Sequence, residues 1–197
     1  MNGSLDFSVI LHGQYGQMII DGMLLTLQLA LGSWLLAMVL AMLLVVIRLS
    51  NLRVLQWLVA AYVSYHRNVP TLIQLMMWYF AIPTLLPESV QMWLNDFNAE
   101  FVFSLVALGL CQAAYFSEDI RSGLRATPEG QTEAARALGM GYMQSMHLII
   151  LPQGIRNALP ALINHTVLLF KNTSLAMVIG VADLTYVTRE IENYTFR

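Results

Sequence analysis

The sequence predicts an all-α fold, a polytopic bundle of membrane helices. The first observation behind this is composition: of 197 residues, 57% are hydrophobic and only 11% charged. A soluble domain of this size carries about a quarter of its residues as charges, so too little polar surface remains to cover a water-soluble globule. The second is that charge-poor apolar runs recur at lengths fit for a bilayer, which takes ~20 residues as a helix. The net charge of −2, with no basic run, gives nucleic acid no footing. Cys111 is the single cysteine, which excludes an intrachain disulfide and a thiol metal site. The twelve methionines suit an adaptable apolar interior. The N-terminus opens polar through Asp6, His12 and Asp21, without the basic start of a cleavable signal peptide.

The first span is an apolar segment from Gly22 to Ile47, about 26 residues and roughly 39 Å as a helix, closed by Arg48 and Arg53. A second runs from about Val54 to Ile82 and contains His66-Arg67-Asn68-Val69-Pro70. Pro70 lacks an amide hydrogen and clashes with the preceding turn, so a kink or break is expected there. Pro83 to Phe97 turns polar, with Glu88 and Asp96 and no Lys or Arg. The third span, about Glu100 to Leu124, carries Glu118 and Asp119 near its end, and an arginine-bearing stretch follows to Asn157. The fourth, about Ala158 to Leu184, contains His165 and Lys171. The spans are thus 22–47, 54–82, 100–124 and 158–184, joined in a single domain over 1–197 with 125–157 as a polar loop. The last dozen residues, with Arg189, Glu190 and Glu192, read as a polar tail.

Orientation follows from the basic residues. Arg48, Arg53, Arg121, Arg125, Arg136 and Arg156 flank the first-to-second and third-to-fourth connections. The positive-inside bias then puts the N-terminus outside and the 125–157 loop in the cytoplasm.

That loop has a defined local grammar. Thr127-Pro128-Glu129 reads as a helix start, with Thr capping, Pro at the first helical position and Glu on the positive end of the dipole. Gly139 supplies a left-handed stop. A second short helix, about Tyr142 to Ile150, is expected to end near Pro152, giving an L of two helices. Capping signals alone are satisfied by a connecting hairpin with no partner.

The full spacing says more: Glu133-Ala134-Ala135, three residues, Gly139, nine residues, Ile149, one residue, Leu151-Pro152. It resembles the EAA loop of the membrane subunits of ABC importers. Arg67-Asn68-Val69-Pro70, Ala113-Ala114-Tyr115, Glu118, Arg121, Gly130-Gln131, Leu151-Pro152-Gln153 and Lys171-Asn172-Thr173-Ser174-Leu175 narrow the resemblance to the polar amino-acid permeases of histidine, glutamine and glutamate/aspartate type, although that family often has Asp where Asn172 stands. Trp78-Tyr79 through Ile82-Pro83 and Leu85-Leu86-Pro87 are most similar to glutamate/aspartate permeases. The resemblance implies five spans with the N-terminus outside. Four are visible in this sequence, so a fifth, lost from the C-terminus by truncation or processing, is expected. It also implies that Glu133, Ala134, Ala135, Gly139, Ile149, Leu151 and Pro152 couple the permease to a dimer of ATPase subunits, which bind ATP and Mg. The chain itself would need no cofactor and catalyse nothing. A second permease subunit, the same or related, an external amino-acid-binding protein, membrane lipid and the amino acid complete the implied partners, in a bacterial inner membrane.

Ionisable groups inside hydrocarbon cost several kcal/mol, so each needs a reason. Arg67 beside the Pro70 break, Gln74 on the same span, Glu118, and Lys171 followed by Thr173 and Ser174 are the candidate cargo path. The competing reading is internal pairing, Glu118 with Arg121 or Arg67, plus snorkelling. Asn164 and His165 read as interhelical hydrogen-bonding groups. Three rival functions remain open on the residues: a channel, a structural membrane subunit, and a hydrolase using Glu118 and His165. No P-loop, His-Glu-x-x-His or Ser/His/Asp set supports catalysis.

Overall fold

A chain this apolar organises itself around its most deeply buried helix, and the structure, a computed structural model, describes it over residues 13–96 and 98–195. Asp6, His12 and Arg197 lie outside the described residues. Helix α1 spans Gln14–Leu49, α2 Arg53–Asn68, α3 Thr71–Met76, α4 Glu88–Asp96 and α5 Ala99–Arg125. Two short helices, α6 Glu129–Ala137 and α7 Tyr142–Ser145, precede α8 Leu151–Asn172 and α9 Leu184–Thr195. No strand occurs among the described residues.

Helix α5 is the hub, packed between α1 and α8. The face that α1 turns to it carries Thr26, Leu29, Ser33, Ala37, Ala41 and Val45 at helical spacing. Small side chains let two backbones approach closely where lipid offers no hydrophobic drive for association. Ala37, Ala41 and Val45 close one core cluster with Ala113, Phe116 and Ile120. Leu29, Leu75, Ala107, Leu108, Leu169 and Ala176 form part of a second, and Val59 and Val63 of α2 close a third with Ala114. Leu31, Leu35, Val39 and Leu43 face outward on α1, as lipid-facing residues do.

Three described helical runs are long and apolar enough to cross a membrane: Gln14–Leu49, Ala99–Arg125 and Tyr142–Ile179, with Thr71–Leu85 a shorter apolar run. This alters three sequence expectations. No continuous helix covers 54–82. The chain leaves α2 at Val69 in extended conformation, because a residue before proline is driven out of the helical region, and restarts at Thr71. The expected break at Pro70 is therefore there, and it divides the second segment in two. The second helix of the loop does not end near Pro152: Met146–Ile150 form a π-helical turn and the helix continues through α8. The 158–184 segment accordingly belongs to a rod that starts at Tyr142 and ends at Ile179, where Gly180 takes φ 98°. Finally, the polar tail is a helix, α9, whose Val187 and Ile191 are buried as it packs along α1.

Candidate functional site: a coupling loop and an intramembrane polar cluster

The 125–157 loop folds as α6, a tight turn, and α7 leading into the rod. Pro128 takes the capping position of α6, and its carbonyl accepts from the Gln131 amide. The Thr127 hydroxyl does not cap the helix as the sequence suggested; it is buried with no hydrogen-bond partner among the described residues. Gly139 sits at φ 77°, the left-handed conformation expected of it, and the Met140 amide donates back to Ala135 O at 3.1 Å. The loop is tied to the rod by Gln153 Nε2, which donates to Gln131 Oε1 at 3.1 Å, and by α6 lying against the Met146–Ile150 turn. Ala135 is fully buried inside the loop, so its small size serves internal packing. Glu133 and Ala134 are exposed. Ile149 and Leu151 are half-buried, and Pro152 is exposed in the first turn of α8. The loop leaves Leu138, Tyr142 and Met143 66–78% exposed, a cluster of large apolar groups at the tip of a polar hairpin.

The second set of residues lies where α2, α5 and α8 meet. Adjacent residues on a helix point about 100° apart, and Glu118 and Asp119 accordingly serve different neighbours. Glu118 is held by Arg121, whose Nη2 and Nε reach its carboxylate at 2.6 and 3.1 Å, and by Arg48 Nη2 at 3.5 Å. Arg67, named beforehand as its alternative partner, makes no ion pair with it. It shares an open cleft of about 360 Å³ with Arg48, Ser64, Asn68 and Glu118. Asp119 faces α8 and accepts from His165 Nδ1 at 2.6 Å, while Gln112 Nε2 donates to His165 O at 3.1 Å. His165 is thus an interhelical hydrogen-bonding group. Its ring lies 5.0 Å from that of Tyr115, and the Arg67 guanidinium stands 5.6 Å from the Tyr115 centroid, within cation–π reach.

Gln74 is buried and fully engaged. Its Nε2 donates to Val69 O at 2.6 Å and His66 O at 3.0 Å, and its Oε1 accepts from His66 Nδ1 at 2.5 Å. It satisfies carbonyls freed by the Pro70 break, which unpaired would each cost about 1–3 kcal/mol. Thr173 is buried with its hydroxyl donating to Phe170 O, and Ser174 donates to Lys171 O. Lys171 is exposed. No hydrogen bond or ion pair among the described residues joins Lys171, Thr173 or Ser174 to Arg67 or Glu118. The structure therefore brings Arg67 and Glu118 to one cleft and leaves the Lys171 group about 9 Å farther along the rod than His165, at 1.5 Å per residue. Sequence reasoning missed Asp119 and Tyr115 as a pair; their i, i+4 spacing, which puts both on one helix face, was the available signal.

Known proteins are similar to this chain in sequence and in fold. A family profile described as binding-protein-dependent transport system inner membrane component matches residues 33–197. The glutamate/aspartate import permease protein GltK of Escherichia coli O6:H1 is 34% identical, covering 84% of this chain and 73% of its own length. The arginine transport system permease protein ArtQ of Bacillus subtilis is 36% identical over 84% of this chain and 72% of its own. The probable glutamine ABC transporter permease protein GlnM of the same species is also 36% identical, over 92% and 76%. A crystal structure of an amino acid ABC transporter with histidines matches with a TM-score of 0.84 at 29% identity, across 98% of this chain and 86% of that one.

Proposed function

The chain belongs to the family of inner membrane components of binding-protein-dependent transport systems and is a permease subunit of an amino-acid ABC importer; from that premise we propose that it carries an acidic amino acid, glutamate or aspartate, inward by alternating access. The observation that carries the choice of cargo is the charge balance of the path. Arg67 and Lys171 enter no ion pair among the described residues, whereas the carboxylates Glu118 and Asp119 are already engaged by Arg121, Arg48 and His165. Asn172 adds no carboxylate beside Lys171. Two available cations with no available anion suit a cargo with an extra carboxylate and disfavour a basic one. In this reading Gln74 braces the broken helix that presents Arg67, and Thr173 and Ser174 shape the rod beside Lys171.

The work comes from elsewhere. The exposed apolar tip of the loop, with Glu133 and Ala134 beside it, fits a cleft on an ATPase subunit, which would hold ATP and Mg. Ala135, Gly139, Ile149, Leu151 and Pro152 fix the loop's shape against the rod. Closure of two such ATPase subunits rocks this permease against a second one, the same or related, in a bacterial inner membrane, with an external binding protein delivering cargo. Competition transport in the reconstituted complex tests the cargo. Glutamate and aspartate are expected to displace labelled glutamate, with glutamine weaker and arginine inert. Arginine as the best competitor would refute the acidic reading.

A further inference from the structure

The seam between α5 and α8 is built of two unlike parts. Near the loop it is steric: a Cβ on Gly123 would stand 2.8 Å from Ala158 N, and one on Gly154 3.0 Å from Leu124 Cα. The side chain of Asn157 bridges to Gly123 O at 3.4 Å. Beyond Pro160, which interrupts the hydrogen-bond ladder of α8, the seam becomes polar, with Asp119 holding His165. Close packing alone would join two membrane helices, so a carboxylate–imidazole pair in the same seam asks for a use. The side chain of Arg67 supplies one. It makes no hydrogen bond or ion pair among the described residues, and the face of Tyr115 is what localises its long, mobile stem. Tyr115 is in turn packed on the imidazole that Asp119 orients. His165 rides on the same rod that carries the coupling loop.

We propose that Asp119 and His165 form a clasp that, through Tyr115, sets the position of the Arg67 guanidinium according to where α8 stands. They are positioning residues, linking the loop's displacement to the cargo path without touching cargo. The inference rests on the reading of Arg67 as a cargo-path residue.

Its test is equilibrium binding of tritiated glutamate to the purified permease–ATPase complex, with tritiated glutamine and arginine as parallel arms. Whichever arm binds is then used for the variants. Asp119→Asn and Tyr115→Leu are expected to weaken binding roughly three- to tenfold, the range of a lost cation–π placement. Tyr115→Phe, which keeps the ring, stays near wild type. In an Arg67→Gln background Asp119→Asn should weaken binding no further, because the clasp acts through that guanidinium. A loss of equal size in both backgrounds overturns the proposal, as does unchanged binding in Asp119→Asn or failure of Tyr115→Phe to bind like wild type. If arginine is the arm that binds, the acidic-cargo reading falls while this cycle is still read. If Arg67→Gln binds like wild type, the clasp falls whichever cargo binds.

Discussion

Two residues outside the membrane-spanning runs show how one backbone angle or one carboxyl governs local behaviour. Gly139 holds φ 77° with nothing near its missing Cβ, so conformation is the only objection to a side chain there. A β-branched residue in this region costs about 1–2 kcal/mol, and Gly139→Val is expected to lower the cargo-stimulated fraction of ATP hydrolysis in the complex. A stimulated-to-basal ratio equal to wild type would count against the turn's role. Asp183 heads α9, accepting from the Tyr186 amide at 2.9 Å, while its Oδ2 is buried without a hydrogen-bond partner among the described residues. Burial, offset in part by bonds from Tyr186 and Thr185, raises its pKa above the ordinary carboxyl value. A carboxyl raised by folding contributes stability below its ordinary value of 3.8 that is lost as pH climbs through the raised one. Asp183→Asn keeps a competent cap without a charge to bury. It should therefore melt above wild type at neutral pH, the gap closing as pH falls toward 3.8; a pH-independent gap would point to another cause. The turn at Gly139 was legible beforehand, but the role of Asp183 was not. The sequence placed that aspartate in the 158–184 span and could not show the helix end buried against Thr26, whose hydroxyl accepts from the Leu184 amide.

At the scale of elements, the same device occurs twice. A π-helical turn, Met77–Ala81, ends two residues before Pro83, with the Ile82 amide donating to Met77 O. Another, Met146–Ile150, ends two residues before Pro152, with the Leu151 amide donating to Met146 O. Each wide turn shifts the bonding register where the following proline has no amide to offer. That explains why Pro70 and Pro152, read alike as interruptions, behave differently: Pro70 follows an extended residue and breaks the chain, whereas Pro152 is absorbed by a turn. A missing donor is visible in a sequence; whether neighbours rewind to accommodate it is not. Pro152→Ala removes the reason for the turn. The variant is expected to keep or gain thermal stability while losing coupling between ATP hydrolysis and transport, because rewinding rotates α6 and α7 against α8. Wild-type coupling in that variant would mean the turn has another origin. Helix α5 was legible almost to its ends and α1 from Gly22 onward, since uncharged length alone marks a span, while α1 in fact starts about two turns earlier, at Gln14. The inward face of α1 was less so, because lipid and protein interior are equally apolar and only the run of small residues marks it.

For the molecule as a whole, fold class and family could be read from composition and one spaced motif, but the cargo could not. The EAA-type spacing is local and contiguous, whereas Arg67, Tyr115, Asp119 and His165 meet only once three helices are packed. Orientation was argued from arginines alone, and labelling tests it. Cys111 is buried, so an impermeant maleimide meets little background in intact vesicles. Glu88→Cys is expected to label from outside, and Gly130→Cys, whose added Cβ meets nothing within 4 Å, only after the vesicles are opened. The reverse pattern would invert the topology. The loop that places Gly130 also displays Leu138, Tyr142 and Met143 to solvent, an apolar cluster that water-facing surfaces rarely leave bare. If an ATPase subunit is what covers that tip, a permease made without it would carry bare apolar surface there. Making the two subunits in step would then keep that surface covered from the start.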